Sequence, residues 1–481
     1  MFKRNHSHVT LLTLFVCAMA LATAIAPRGA HSGSSQAALK DSLYPSDADR
    51  FGIDVSSAFG QVGLFDVARV RAGWYIDWST KLDPPAPAGM EFVQTIWTLG
   101  DVFAPSEAGL AALVAANPGA TWTIGNEPDC IWQGNSTPDQ YARLYHRLYT
   151  FLKALDPTCR VTVGGIVQAT PLRMQWLKEV WTRYKDYYGT NLPVDLWNIH
   201  TFVLREERGQ WGCDIPPGFN VNRGMLWQIQ DHDRLDLVIE QIVRFRTWMR
   251  DIGERDKELI ITEYGILVTE EWGFHEARAA SFMRQTFDYF LNATDPYIGY
   301  PRDGNRLVQR WAWFSLNVDR MGDQTLRSHL FESESKTITS LGVDYESYAA
   351  PLYTPYVDLT AARVGFATPP PLSMEGEPVT ASLKATIRNA GNSDAENVSV
   401  QFWVGSPAHP IGPAHVIAVL PARKLTNVFA QWIDAPVGMS TIGVTADVYN
   451  LIDESNETNN QISRALLIAQ HEVYLPLVSG H

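Results

Sequence analysis

Cysteine is scarce in this 481-residue chain, which has only Cys17, Cys130, Cys159 and Cys213. So few thiols exclude a disulfide-built scaffold, and a chain this long can bury a large apolar core without one. Positive charge is also short. Thirty-nine Lys and Arg stand against 52 Asp and Glu, a formal net charge of −13, which argues against nucleic acid as a partner. No Gly-rich phosphate turn of the dinucleotide-binding type follows an early strand, so the signature of a doubly wound nucleotide fold is missing. Neither a cofactor nor a metal is expected.

Long apolar runs are confined to the N-terminus. Lys3 and Arg4 precede an uncharged, mainly apolar stretch from Val9 to Ala26 that contains Ala22-Thr23-Ala24. This is the pattern of a secretory signal peptide, with an uncleaved anchor as the alternative. Cleavage near Ala24 removes Lys3, Arg4 and Cys17, moving the net charge from −13 to −15 (two positive charges lost) and leaving three cysteines, enough for one internal bridge. The expected location is secreted or extracellular, with no membrane span after cleavage. Residues 1–26 are read as signal and 27–50 as a flexible lead. Cys130 follows Pro128-Asp129, and Cys213 lies in the loop Gly209-Gln210-Trp211-Gly212-Cys213-Asp214. A Cys130–Cys213 disulfide would clamp two loops, with Cys159 left as a free thiol.

The chain is rich in aromatics, with 16 Trp and 18 Tyr. Flat aromatic faces stack on pyranose rings, although most such rings belong to cores. From residue 51 strands and helices alternate. The strand patterns are Phe51–Val55, Gly73–Trp78, Glu91–Trp97, Thr121–Glu127, Arg160–Gly165, Asp195–Phe202, Glu258–Gly265 and Leu307–Phe314. Helices are expected at 61–71, 106–117, 137–155, 171–184, 235–252 and 278–291. The clearest opens with Thr137-Pro138-Asp139-Gln140, an N-cap, an N1 proline and an N3 glutamine, and its Tyr141, Leu144, Tyr145, Leu148 and Leu152 recur every three or four residues. Eight strands interleaved with helices over 51–350 predict an α/β (β/α)8 TIM barrel, whose chemistry sits where the strands end.

Composition changes at Ala349-Ala350-Pro351 and again at Ala367-Thr368-Pro369-Pro370-Pro371. Residues 351–374 are read as a linker. Short strands with turns follow and no amphipathic helix, so 375–470 are expected to form a small all-β, immunoglobulin-like sandwich, with 471–481 as a tail. The acidic, amide-rich run Asp447–Asn460 suits either a calcium ligand set or a loop capped by its own side chains.

Two strands end in glutamate. Asn126-Glu127-Pro128 closes the fourth, since Pro128 lacks a ladder donor and restricts the residue before it, and Thr262-Glu263-Tyr264 closes the seventh. A pair of strand-end carboxylates points to glycosidic-bond cleavage. In this pairing residues 51 to about 330 resemble a clan A glycoside hydrolase. Gly73–Trp78, Phe92–Trp97, Gly125–Asp129 and Ile199-His200 resemble, more closely, the glycan-hydrolase core of family 128, the endo-β-1,3-glucanases. Two positions depart from that family: Asp77 stands where it usually has Asn, and Phe202 where it has an aromatic hydroxyl. The second departure leaves the nucleophile one hydrogen bond short unless Tyr264 or another residue supplies it. Residues 375–465 resemble the CARDB domain, on the strength of Asn389-Ala390-Gly391-Asn392 and the Asp447–Asn460 run, which implies binding or spacing, and contact with a cell surface or glycan.

The resemblance implies a retaining hydrolase with Glu127 as acid/base and Glu263 as nucleophile. The charge of Glu263 is expected to raise the proton affinity of Glu127. Asn126 is expected at the sugar 2-hydroxyl and His200 at a sugar hydroxyl or a catalytic carboxylate, with Trp313, or else Trp311, as a stacking floor. Trp132 and Trp211 are candidates for outer subsites, and Asp54 and Asp77 for sugar contacts or barrel caps. The substrate expected is a β-linked polysaccharide. A β-xylosidase, a cellulase and a non-catalytic carbohydrate-binding protein on an inactive barrel are the alternatives.

Overall fold

A computed structural model describes residues 43–369, 372–374 and 376–471. The signal segment and the tail segment Val473–Val478 lie outside the described residues. Among the described residues no helix is long and apolar enough to cross a membrane.

The strands β1 (Phe51–Asp54), β2 (Trp74–Ile76), β3 (Glu91–Phe92), β4 (Gln94–Leu99), β5 (Val102–Ala104), β6 (Thr121–Ile124), β7 (Arg160–Val163), β8 (Leu196–His200), β9 (Glu258–Gly265) and β10 (Arg310–Phe314) form two sheets. One runs β3-β2-β1-β10-β9-β8, all parallel; the other runs β5-β4-β6-β7, parallel except for the β4–β5 hairpin. Residues 91–99 pass from the first sheet into the second. On the far side the sheets meet at one parallel bridge, Ile166 with Ile199, beside the bond from His200 N–H to the Ile166 carbonyl (2.8 Å). The result is an α/β fold of half-barrel parallel sheets.

Among the described residues six helices flank them: α1 (Glu107–Ala116), α2 (Pro138–Leu155), α3 (Pro171–Tyr188), α4 (Leu235–Asp251), α5 (Glu276–Asn292) and α6 (Ser340–Ala349). Local chemistry explains the starts. The Thr137 side chain accepts from Gln140 N–H while Gln140 returns a bond to the Thr137 backbone, and the Thr170 side chain caps α3 by accepting from Arg173 N–H, ahead of Pro171. The apolar stripe of α2 is buried as its spacing predicts. Residues 61–71 are not a helix: only Val62–Leu64 make a short 3-10 turn. Gly63, Val62, Val67 and Val70 are poor helix formers, and the apolar ones pack directly into the core. Residues 44–50, read as the end of a flexible lead, are fixed. Arg50 is buried against Asp303 with two bonds of 2.8 and 2.7 Å, and Tyr44 donates to Glu258.

The C-terminal domain packs the three-stranded sheet Leu359–Phe366, Val379–Asn389, Leu425–Ala435 against the four-stranded sheet Pro410–Leu420, Ala395–Val404, Gly438–Ala446, Gln461–Ile468, over one shared apolar core. Leu359–Phe366 falls within the stretch read as linker, yet pairs along its length with Val379–Asn389. Its alternation of buried and half-buried residues is the mark of a strand with one covered face. In the 447–460 run, Asp447 accepts from Ile452 N–H and Asn456 from Thr458 N–H, so side chains cap the loop's own backbone.

This domain docks on the face where the strands of the two parallel sheets begin. Arg423 reaches the Gly89 carbonyl (3.0 Å) and Asp49, Tyr356 donates to Asp49 (2.6 Å), and Arg388 donates to the Pro118 carbonyl (3.0 Å). Gly89, Asp49 and Pro118 precede β3, β1 and β6, so the interface lies opposite the strand ends that carry Glu127 and Glu263.

Candidate active site

The fourth-strand glutamate is delivered by an abrupt turn. Gly125 (φ +84) and Glu127 (φ 43) both take left-handed backbone, which costs a non-glycine residue about 1 kcal/mol or more. Glu127 N–H donates to the Gly165 carbonyl (3.1 Å), which pins the turn to the end of β7. Glu263 leaves β9 near a register shift against β10. One carboxylate oxygen from each glutamate and one ring nitrogen of His200 lie within 4.8 Å of one another, all three residues buried. Two carboxylates and an imidazole are also a donor set that a divalent cation would accept. Glu127 Oε1 lies against His200 Nδ1, and Glu263 Oε1 accepts from Trp78.

His200 ends β8 and is fully buried. Its Nδ1 lies 3.0 Å from Glu127 Oε1 and its Nε2 3.0 Å from Thr262 Oγ1, with Glu263 Oε1 at 3.8 Å. The Thr262 hydroxyl donates to Asn198 Oδ1 (2.9 Å), so its lone pair is left for His200 Nε2–H. Gly165 makes room for the ring, since a Cβ there would meet His200 Cδ2 at 2.4 Å.

Burial raises the Glu263 carboxyl well above the usual carboxylate range and Glu127 adds to the rise, against the lowering effect of His200, Trp78 and Asn126. Burial works against an imidazolium at His200, but Glu263 and Glu127 outweigh it and the net shift is upward.

Trp78, unmarked in the sequence reading, donates its indole N–H to Glu263 Oε1 at 2.6 Å. It supplies the bond that Phe202 cannot. Tyr264 does not supply it: its ring packs between β9 and α5 against Phe290 and Trp313, and its hydroxyl accepts from Thr286. Asp77 serves the turn that carries Trp78, accepting from Ser79 Oγ (2.6 Å) and pairing with Lys81 (2.7 Å). Asn126 is half-buried at the cleft and bonds Glu263.

The cleft above Glu263 encloses about 580 Å³ and is lined by Trp78, Trp97, Trp132, Phe59, Phe314, Thr95, Thr98 and Asn126 among others. Trp132 is 68 % exposed and Trp97 51 %. The expected floor is elsewhere. Trp311 and Trp313 are fully buried in the layer between strands and helices, against Phe51 and Phe282. Phe314, of opposite parity on the same strand, faces the cleft instead. Trp211 is half-buried in its loop, outside the cleft lining. Asp54, at the end of β1, is fully buried with neither carboxyl oxygen hydrogen-bonded, and burial together with the charge of Glu263 holds it well above the usual range.

Cys130, Cys159 and Cys213 are buried free thiols, so the expected bridge is not present. Cys130 and Cys213 share a small cluster with Val167 and Phe202. Arg173 performs the clamping instead. It is fully buried and bonds Asp129 Oδ2 (2.7 Å), Glu206 Oε1 (3.0 Å) and the Cys213 carbonyl (2.8 Å), tying the Glu127 loop to the long loop after β8. Nothing in the local sequence marks Arg173, because its partners are 33 to 44 residues away.

Residues 59–210 match the model of the glycosyl hydrolase catalytic core and residues 367–464 that of CARDB. No curated protein matches the chain. Among solved structures, a family 128 (subgroup III) curdlan-specific exo-β-1,3-glucanase from Blastomyces gilchristii in complex with glucose is similar at 17 % identity, over 63 % of this chain and 99 % of that one, with a TM-score of 0.40. A glucosidase from Croceicoccus marinus is similar at 12 % identity, over 76 % and 88 %, with a TM-score of 0.39. The CARDB domain of a Pyrococcus furiosus protein, in complex with di-metal ions, is similar at 18 % identity, over 25 % and 99 %, with a TM-score of 0.21. The chain joins a segment of the glycosyl hydrolase catalytic core, which holds Glu127 and His200, to a C-terminal CARDB domain.

Proposed function

We propose that this chain is a secreted retaining glycoside hydrolase that cleaves β-linked polysaccharide, β-1,3-glucan first among them, on a single closed (β/α)8 barrel. Closure is supported by the run 91–99 shared between the sheets and by the Ile166–Ile199 bridge. Secretion rests on Lys3, Arg4 and the apolar run that follows. The observation that carries the reading is the approach of Glu127 and Glu263 oxygens to within 4.8 Å. Retaining enzymes hold their carboxyls about 5–5.5 Å apart, whereas inverting ones need about 6.5–9.5 Å to seat a water.

In this mechanism Glu263, ionised, attacks the anomeric carbon while Glu127 gives its proton to the leaving oxygen; Glu127 then takes a proton from the water that releases the sugar. Trp78 and Asn126 hold Glu263 by hydrogen bonds and stabilise its charge. With its proton on Nε2 toward Thr262, neutral His200 offers Nδ1 as an acceptor, which suits Glu127 in its protonated form. When Glu127 is ionised, a protonated His200 donates to it instead, so the imidazole fits both halves of the reaction.

The test is incubation of the purified protein with β-1,3-glucan, cellulose, xylan and mannan, with the products sized. Release from β-1,3-glucan is expected. Release from xylan or cellulose alone points to another clan A enzyme, and release from none favours a carbohydrate-binding role.

A further inference from the structure

A second cleft, of about 1140 Å³, lies where the C-terminal domain meets the face on which the parallel strands begin. One wall is made by the C-terminal ends of α1 and α2 together with the loop at Leu82-Asp83-Pro84. The other is the outer face of the three-stranded sheet. Arg363, Thr386 and Asn427 are cross-strand partners there, and Lys384 stands two residues from Thr386 and so shares its side of the strand. Leu383, Ala385 and Ile387, of opposite parity, fill the core beneath.

The charge of this cleft is opposite to that of the chain. Among the described residues its lining carries five cations, Arg363, Lys384, Arg423, Lys424 and Arg464, against two acids, in a chain of net charge −13. Both acids are engaged locally. Asp83 pairs with Lys424 (2.6 Å), and Asp156 accepts from the Gly119 and Thr158 backbone N–H groups (2.7 and 3.0 Å). Arg363 donates to the Ala115 and Val114 carbonyls (3.0 and 3.1 Å), which covers the negative end of α1, and Arg423 reaches Asp49 (3.4 Å). Lys384 and Arg464 have no hydrogen bond or ion pair among the described residues. Lys384 is half-buried and Arg464 exposed, so both can be reached by a ligand. A cation half withdrawn from water, without a counter-charge and on the same face as Arg363, is an unfavourable placement that an anion relieves. Asn427 Oδ1 accepts from the Thr386 hydroxyl (2.8 Å), which leaves the amide hydrogens of Asn427 as further donors.

We propose that this interdomain cleft binds an acidic polysaccharide, whose carboxylate or phosphate groups are met by Lys384 and Arg464 with Asn427 as a neutral donor beside them. The cations are spread over several strands instead of converging on one point, which suits a polymer of repeated charges better than a single small anion. Phe429, the cross-strand partner of Lys384, is 55 % exposed on the same face and offers a ring on which a sugar can stack. The site lies behind the cleft that holds Glu127 and Glu263, so both can be filled at once, and an acidic strand held here anchors the protein without obstructing that cleft. The proposal does not rest on the hydrolase reading and stands or falls separately from it.

The experiment measures binding of the purified full chain to fluorescein-labelled polygalacturonate and phosphomannan by anisotropy, with neutral dextran and duplex DNA as comparisons and Tm as the control on folding. Wild type is expected to bind at least one acidic polymer and not dextran, with an affinity that falls as salt is added. Preference between the two polymers identifies carboxylate or phosphate as the group read, and either preference supports the proposal. The double variant Lys384→Glu with Arg464→Glu should weaken binding by about tenfold or more, since each reversal removes an attraction and adds a like charge. Its Tm should match wild type, because neither side chain is bonded within the protein. Lys178→Glu, an exposed reversal on α3 outside this cleft, should bind as wild type does. If the double reversal melts early, Lys384→Gln with Arg464→Gln is read in its place and should still lose about threefold or more. The proposal is overturned if neither acidic polymer binds, if Lys178→Glu loses as much as the cleft variant, if the folded cleft variants bind as wild type does, or if duplex DNA binds more tightly than both polysaccharides, which would reduce the effect to unspecific charge.

Discussion

Replacing Trp78 with Phe keeps an aromatic ring beside Phe314 and deletes one group, the indole N–H that donates to Glu263 Oε1 at 2.6 Å. A hydrogen bond to a charged partner is worth about 1.5–3 kcal/mol. Because it favours ionised Glu263, its loss raises the proton affinity of that carboxyl by about one to two pH units, at 1.36 kcal/mol per unit. The sign follows from the role. Glu263 attacks only when ionised, so the acid limb of kcat/KM moves to higher pH by that amount, and below the limb the variant loses about ten- to a hundredfold in rate. Burial and Glu127 already raise this carboxyl, so the shift is read near neutrality, where assays are straightforward. The measurement is the pH profile of kcat/KM for Trp78→Phe and wild type on an activated aryl β-glucoside, with Tm as a control on folding. An acid limb that stays in place while the protein remains folded would refute the claim that Trp78 stabilises the charged nucleophile.

Other outcomes follow from the same geometry. The folded state holds the proton of Asp54 more tightly than the unfolded chain does, so the stability tied to that proton is fully present below about pH 4 and drains away as pH rises through the raised value. Asp54→Asn should therefore gain Tm relative to wild type at pH 8 and not at pH 4; an equal difference at both would contradict it. Arg173→Met leaves Asp129 and Glu206 buried without their cation, a loss of about 3–5 kcal/mol, to be read by denaturant unfolding. A loss under about 1 kcal/mol would show that the clamp is replaceable. Removing residues 353–481 takes Arg423 from Asp49 and Arg388 from the Pro118 carbonyl while leaving the cleft lining whole. Tm should fall, with turnover of a short soluble oligosaccharide retained at 25 °C, and a folded yet inactive remainder would show that the docked domain shapes the site from behind.

Some of this molecule is legible in its sequence and some is not, for physical reasons. Glu127 and Glu263 announce themselves because β-branched runs end at Pro128 and at Gly265, and strand ends are where such folds place their chemistry. The capped helix at 138–155 is equally plain, since Thr137, Pro138 and Gln140 each serve a local need. Parity within β10 was not readable. Parallel strands are covered on both faces, so Trp311, Trp313 and Phe314 all look alike as apolar residues, and only the structure separates the layer under the helices from the cleft. Long-range polar partners were equally invisible. Trp78 meets Glu263 across 185 residues, and the loops that a disulfide was expected to join are held by Arg173. The docking of the second domain was hidden too, because its contacts are made largely to backbone carbonyls at Gly89 and Pro118, which any residue could present.

The central claim is that Glu127 and Glu263 act together in double displacement, and the stereochemistry of the first-formed product tests it most directly. Wild-type enzyme is mixed with a β-1,3-gluco-oligosaccharide, and the anomeric protons are followed by NMR before mutarotation equilibrates them. Carboxylate oxygens within 4.8 Å predict that the β-anomer appears first. The α-anomer appearing first would mean inversion through a water and would contradict the roles given to both glutamates.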